Sequence, residues 1–88
     1  MRTISPSEAF DRKLVKFLKQ HRELSKDIKI LFVKLELNLH DPVLKTHKLH
    51  GKLSRFHGAS INYRYRIVFR FDEKHIYPQS IGSHDDVY

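Results

Sequence analysis

His47, Lys48, Leu49, His50 and Gly51 place two imidazoles and an ammonium group within five consecutive residues, and a further imidazole, His84, lies four positions before Tyr88. A neutral imidazole takes a proton near pH 7 and its protonated form gives one back, so such residues serve general acid–base chemistry. Between them in sequence stands Arg66, whose planar guanidinium can hold phosphoryl oxygens through paired, charge-assisted hydrogen bonds. Cleavage of RNA by its own neighbouring 2'-hydroxyl needs a base for that hydroxyl, an acid for the 5'-oxygen and positive charge on the phosphorane, and these residues supply all three without a metal. The bland alternatives are a solvated basic loop, a solubilising strand cation and a capped tail. A histidine metal centre is the competing chemistry. His47 and His50 have no carboxylate beside them in sequence, and the pair Asp85 and Asp86 follows only one histidine, so neither a metal nor another cofactor is expected.

The charge is concentrated around the same residues. From Val43 to Phe71 the chain carries Lys45, Lys48, Lys52, Arg55, Arg64, Arg66 and Arg70, together with three histidines and no carboxylate. The other ten basic residues balance the ten acidic ones, so the formal charge of +7 belongs to this third of the chain. Such a field attracts a polyanion and releases its counterions on contact. Lys45, Lys48, His50, Lys52, Arg55 and Arg64 are therefore expected to bind RNA around the catalytic set. The absence of cysteine excludes disulfides and thiolate metal sites and fits a reducing cytoplasm. No apolar run is long enough to cross a bilayer and the N-terminal residues lack a signal-peptide pattern, so a cytoplasmic protein without membrane contact is expected.

These residues need a scaffold, and residues 1–88 read as one α+β domain. Ser5, Pro6, Ser7 and Glu8 form a capping box with proline at the first helical position, and Phe10, Leu14, Phe17 and Leu18 give the helix that follows an apolar stripe ending near Gln20. A second helix runs through Ile28, Leu31, Phe32, Leu35 and Leu39, with Ser25 as its N-cap and Pro42 as its stop. The short connection His21 to Leu24 predicts that the two helices are antiparallel, and residues 2–4 leave room for a short strand before them. The period then changes. Tyr63, Tyr65, Ile67, Phe69 and Phe71 alternate with Arg64, Arg66, Val68 and Arg70, predicting a strand with one apolar and one arginine-bearing face. Residues 56–61 supply the strand before it and Ile76 to Ile81 the strand after it, with Asp72 to Lys74 as the turn and Pro78 marking an edge or a bulge. The expected order is a short strand, two helices and a three-strand antiparallel meander, with the helices packed on one sheet face.

Three segments together resemble a known family. His47-Lys48-Leu49-His50-Gly51, then Tyr65-Arg66-Ile67-Val68-Phe69, then Ile81-Gly82-Ser83-His84-Asp85-Asp86-Val87-Tyr88 are similar to the RelE/ParE superfamily of toxin–antitoxin toxins, most nearly its YafQ-like branch. The likeness runs over nearly the whole chain. It implies a ribosome-dependent mRNA endonuclease that cuts the codon in the decoding site and arrests translation, and a cognate antitoxin that wraps and neutralises it. It also implies that His47 is a base candidate, Arg66 the phosphate-stabilising strand arginine, His84 the C-terminal catalytic histidine and Tyr88 the terminal aromatic residue. Where YafQ-like toxins place a further histidine and an aspartate, this chain has Ser60 and Arg64, so the resemblance does not say which of His47 and His84 is the acid and which the base.

The same fold hosts ParE-like toxins, which block DNA gyrase by binding and cut nothing. Pairing of His47 with His84 is better explained by nuclease work. A plain nucleic-acid-binding module would account for the charge and leave both histidines idle.

Overall fold

Residues 65–71 form the strand around which the chain is arranged, in a computed structural model that describes residues 1–83 and 87. The elements are β1 (Thr3–Ile4), α1 (Glu8–Gln20), α2 (Ser25–Asn38), β2 (His47–Lys48), β3 (His57–Ser60), β4 (Tyr65–Phe71) and β5 (His75–Ser83). They give one five-stranded sheet in the order β1-β5-β4-β3-β2. Only the β1–β5 pair is parallel.

The α+β order and the meander β3-β4-β5 are as the sequence predicts, and the sheet gains one strand at its far edge. His47 and Lys48, expected in a loop, pair antiparallel with Gly58 and His57. The chain reaches that edge through a 3-10 turn, Pro42–Leu44, which ends on Lys45 in the left-handed region at φ 51°. Ile67, Phe69, Ala59 and Ile76 of the sheet meet Phe10, Leu31, Leu35 and Leu39 of the helical layer in the main core cluster. Phe10 approaches Phe32, whereas Phe17 packs with Leu24 and Ile28, so α1 and α2 run antiparallel. Among the described residues no helix is long and apolar enough to cross a membrane.

Three local expectations shift. The helix cap is Ser7 rather than Ser5, with the Ser7 hydroxyl accepting from Phe10 N–H at 3.1 Å. Ser5 instead spends its own N–H on the Ile76 carbonyl at 2.8 Å, prolonging the β1–β5 pairing. Ser25 is not a cap either. A 3-10 turn, Arg22–Leu24, leads straight into α2, whose N-cap is Leu24 with no side-chain hydrogen bond. Finally, β4 starts at Tyr65, because Asn62 turns the chain just before it.

Pro78 marks a bulge. Val68 pairs with Ser80 and Phe69 with Pro78, leaving Gln79 as the extra residue on β5. Lys13 of α1 donates to the Gln79 carbonyl at 3.1 Å, tying the bulge to the helical layer. Asp72 closes the β4–β5 hairpin by accepting from the N–H groups of Lys74 and His75 at 2.9 and 2.8 Å. Those two bonds, that of Lys74 first, hold its carboxyl below the ordinary carboxylate range.

Candidate active site

Paired residues of a sheet share a face and alternate residues change face, so the register states which side chains stand together. Ser60, Arg66 and Gly82 form one row across β3, β4 and β5. His47, Gly58, Val68 and Ser80 form the next. Both rows face away from the helices, opposite to Ile67 and Phe69. His47 and Arg66 are therefore on the same face, two strands and two residues apart, or roughly 12 Å between Cα atoms from ordinary sheet spacings. The β3 and β5 residues within these rows include Gly58 and Gly82, so no bulky side chain rises from those positions.

Arg66 is held by the hairpin that precedes it. Its Nη1 donates to the Asn62 carbonyl at 2.7 Å and to the Tyr65 carbonyl at 3.2 Å. Asn62 in turn accepts from the N–H groups of Arg64 and Tyr65 through Oδ1, both at 2.9 Å, which is a side-chain-closed turn. Nε and Nη2 of Arg66 donate to none of the described residues, so among these residues only the Nη1 edge of the guanidinium is engaged.

Exposed His47 lies with Nδ1 2.9 Å from the carbonyl of Lys45. A carbonyl only accepts, so Nδ1 carries the proton in the neutral ring and Nε2 the lone pair, the form that a general base needs. The left-handed backbone at Lys45 is part of this geometry, since it aims that carbonyl back at the ring.

Beside Arg66 a cleft of about 290 Å³ opens. It lies where two-residue β2 leaves the Ala59–Ser60 end of β3 unpaired, and its walls come from α2, the segment 43–45 and the β3–β4 hairpin. Lys34, Lys45 and Arg66 line it with one carboxylate, Asp27, and with Ser60 and Tyr63, the latter 90% exposed at the hairpin tip. Lys34 and Asn62 were not singled out by the sequence reading. An asparagine in a short hairpin connection is a turn signal that had been available. Lys34 carries no such mark, because only the tertiary fold brings its turn of α2 to the end of β3.

The remaining basic residues separate. Arg64, expected beside Arg66 on the strand, lies in the hairpin with its guanidinium 5.5 Å from the centre of the Tyr65 ring. Tyr65 points to the helices, where it packs edge-on against Phe17 at 5.3 Å. Lys48, paired with His57, falls on the helix side of the edge strand, opposite to His47. His50, Lys52 and Arg55 are exposed along the β2–β3 connection, which turns through Gly51 at φ +66°. The ion pairs among the described residues, within 4 Å, are His21 with Glu23 and His75 with Asp72, so no described carboxylate neutralises a lysine or arginine. His84 and Tyr88 lie outside the described residues; the sequence places His84 two positions after Gly82, the β5 neighbour of Arg66.

His57 is a half-buried histidine on the helix side of the sheet. It stacks on Phe69 at 6.2 Å and meets Phe71 edge-on at 4.9 Å, and its buried Nδ1 has no hydrogen-bond partner among the described residues. Burial, then the charges of Lys48, His40 and His47, push its pKa below the ordinary histidine value.

No protein-family profile matches the chain, and no curated protein does. Solved structures match over its whole length. YafQ from E. coli strain BL21(DE3) aligns over 100% of this chain and 99% of its own with a TM-score of 0.81 at 19% identity. A chain of the E. coli DinJ–YafQ toxin–antitoxin complex gives 0.79 at 20% identity, over 99% of this chain and 97% of that one. A chain of the YoeB–YefM complex from Staphylococcus aureus gives 0.75 at 24% identity, covering 96% and 98%. The chain thus shares the fold of the YafQ and YoeB structures, and its likeness to YafQ runs over its full length.

Proposed function

We propose that this chain is the toxin of a type II toxin–antitoxin pair and a metal-independent endoribonuclease that cuts mRNA in the ribosomal decoding site. The observation that carries the reading is the shared face of His47 and Arg66 in a fold built like YafQ. His47 takes the proton of the 2'-hydroxyl at Nε2, the oxygen attacks the adjacent phosphorus, and Arg66 stabilises the phosphorane oxygens through Nε and Nη2. The bond to the 5'-oxygen breaks as that oxygen receives a proton from His84, leaving a 2',3'-cyclic phosphate. Tyr88 completes the set as the terminal aromatic residue. Lys45, Lys48, Lys52, Arg55 and Arg64, which have no ion-pair partner among the described residues, and the exposed imidazole of His50 support binding of RNA, and an antitoxin supplies negative charge when the toxin is held silent.

A shallow cleft offers little to hold a flexible RNA in line, so the ribosome is assigned that task. Purified protein incubated with programmed ribosomes, in the magnesium that keeps the ribosome assembled and with no other divalent ion, should cut the mRNA, with cyclic phosphate at the new 3' end, while naked RNA of the same sequence is cut far more slowly. Intact mRNA together with inhibited supercoiling by DNA gyrase would overturn the nuclease reading in favour of a ParE-like one. Tight RNA binding with neither effect would leave a simple binding module.

A further inference from the structure

Tyr63 is exposed at a place where the fold does not need it. It sits at the tip of the β3–β4 hairpin at 90% exposure, the one exposed ring among the described phenylalanines and tyrosines, and it makes no hydrogen bond or ring contact with a described residue. The turn is closed without it, because Asn62 Oδ1 accepts from the N–H groups of Arg64 and Tyr65. An aromatic ring in water is unfavourable, and hairpin tips ordinarily carry Asn, Asp, Gly or Ser. Yet this ring is tied to the site. The carbonyl that accepts from Arg66 Nη1 at 2.7 Å belongs to the peptide unit joining Asn62 to Tyr63, so one bond fixes the guanidinium against the backbone that carries the ring. Tyr63 lines the cleft with Arg66, Lys34 and Lys45, whereas Arg64 beside it lies over Tyr65 and outside the cleft.

We propose that Tyr63 is the stacking platform for the mRNA base on the 3' side of the cut. The inference rests on the nuclease reading and deepens it by assigning one substrate subsite. Every base has a flat π face, and an aromatic side chain this exposed can take one whatever its identity. The side of the cut follows from the register. His47 stands in the row of Val68, about 7 Å along β4 from the row of Arg66, and Tyr63 lies beyond Arg66 in the opposite direction. With the attacking 2'-hydroxyl at His47 and the phosphorus at Arg66, an in-line arrangement sends the leaving 5'-oxygen and its nucleotide toward the hairpin. Lys34 and Lys45, across the cleft from Tyr63, then suit the next phosphate, with Asp27 as the one carboxylate among the lining residues. A protein contact at this tip would accept an aliphatic side chain as readily as an aromatic one, whereas a base requires the ring.

The test is a double-mutant cycle between protein and mRNA, read as single-turnover cleavage on saturating programmed ribosomes. Tyr63→Ala and Tyr63→Leu should each cut about tenfold or more slowly than wild type, and Tyr63→Phe and Tyr63→Trp at close to the wild-type rate, all with unchanged circular dichroism and nearly unchanged ribosome affinity. An abasic ribonucleotide 3' of the cut, which keeps the ribose and both phosphates, should slow the wild-type protein by a similar factor and leave Tyr63→Ala no slower than before. An abasic ribonucleotide 5' of the cut should slow both proteins by equal factors. Wild-type rates for Tyr63→Ala or Tyr63→Leu, or a Tyr63→Phe as slow as Tyr63→Ala, would overturn the proposal. So would a Tyr63→Ala defect that multiplies with every abasic substitution, the result expected if the ring stacked on a ribosomal base. Coupling confined to the 5' nucleotide would also overturn it, since that base lies on the His47 side. A second measurement separates the subsite from the chemistry. The codon is made with 2'-deoxyribose throughout, which removes the attacking hydroxyl, and 2-aminopurine is placed at each of its positions in turn. At one position its fluorescence should change on adding wild type and not on adding Tyr63→Leu, and equal changes at every position would overturn the proposal. If the wild-type protein fails to cut ordinary mRNA while that difference holds, the nuclease reading falls and the stacking subsite stands.

Discussion

Arg66 Nη1 and the carbonyl of Asn62 are 2.7 Å apart, and that bond couples the hairpin turn to the group assigned to the phosphorane. Asn62→Ala removes the Oδ1 acceptor of two backbone N–H groups, and a loss of about 1 kcal/mol of stability is expected from such a turn. The carbonyl that holds Arg66 then shifts, so the cleavage rate should fall further than ribosome affinity does. Asn62→Asp keeps the acceptor and should restore the fold, as read by urea unfolding alongside single-turnover cleavage.

Lys45 combines backbone strain with a cation. Left-handed backbone costs a non-glycine residue about 1 kcal/mol, and glycine relieves it at the expense of a freer unfolded chain. Lys45→Gly should therefore unfold at the same urea concentration as wild type or slightly higher, while binding RNA and cutting more weakly. A clear loss of stability would show that the side chain, rather than the turn, holds this segment.

His57 should make the fold acid-sensitive. Its folded pKa is depressed, so the unfolded chain binds the proton first as pH falls. The stability present above the unfolded value of about 6.5 is then lost progressively down through the lower folded value. Replacement by Phe keeps an aromatic ring against Phe69 and Phe71 and removes the titration. His57→Phe should lose less stability than wild type between pH 7 and pH 5 in urea melts, and it should still cut mRNA at neutral pH.

Glu36 ties the first strand to the second helix. Its Oε2 accepts from Ile4 N–H at 2.8 Å, and its backbone carbonyl accepts from Arg2 N–H at 3.0 Å. Glu36→Ala should cost about 1–3 kcal/mol by leaving a half-buried N–H without its acceptor. Hydrogen exchange at Ile4 should accelerate most, with little change at Phe69.

The strands and helices were legible because their apolar periods are clean, and the proline in β5 announced its bulge. Signals that compete at short range were harder to read. Ser5 and Ser7 both suit a helix cap, and only the parallel pairing of Ser5 with Ile76 decides between them. Alternation from Tyr63 onward extended the strand into a hairpin that Asn62 turns back, which moved Arg64 away from Arg66. A two-residue edge strand such as His47–Lys48 has no period to read. His47 and Arg66 were named from residue chemistry and the family resemblance. Their relative placement came from the register, and Lys34 came from the fold alone.

The most direct measurement is single-turnover mRNA cleavage on saturating programmed ribosomes by Arg66→Ala, with folding checked by circular dichroism and ribosome affinity measured in parallel. His84→Ala is run beside it, since that residue is assigned the leaving-group proton. Each variant should cut about a hundredfold or more slowly than wild type with nearly unchanged ribosome binding, as expected for groups that act on the reacting oxygens. Near wild-type cleavage by a folded Arg66→Ala, His84→Ala double variant would contradict the assignment of this face as a nuclease site.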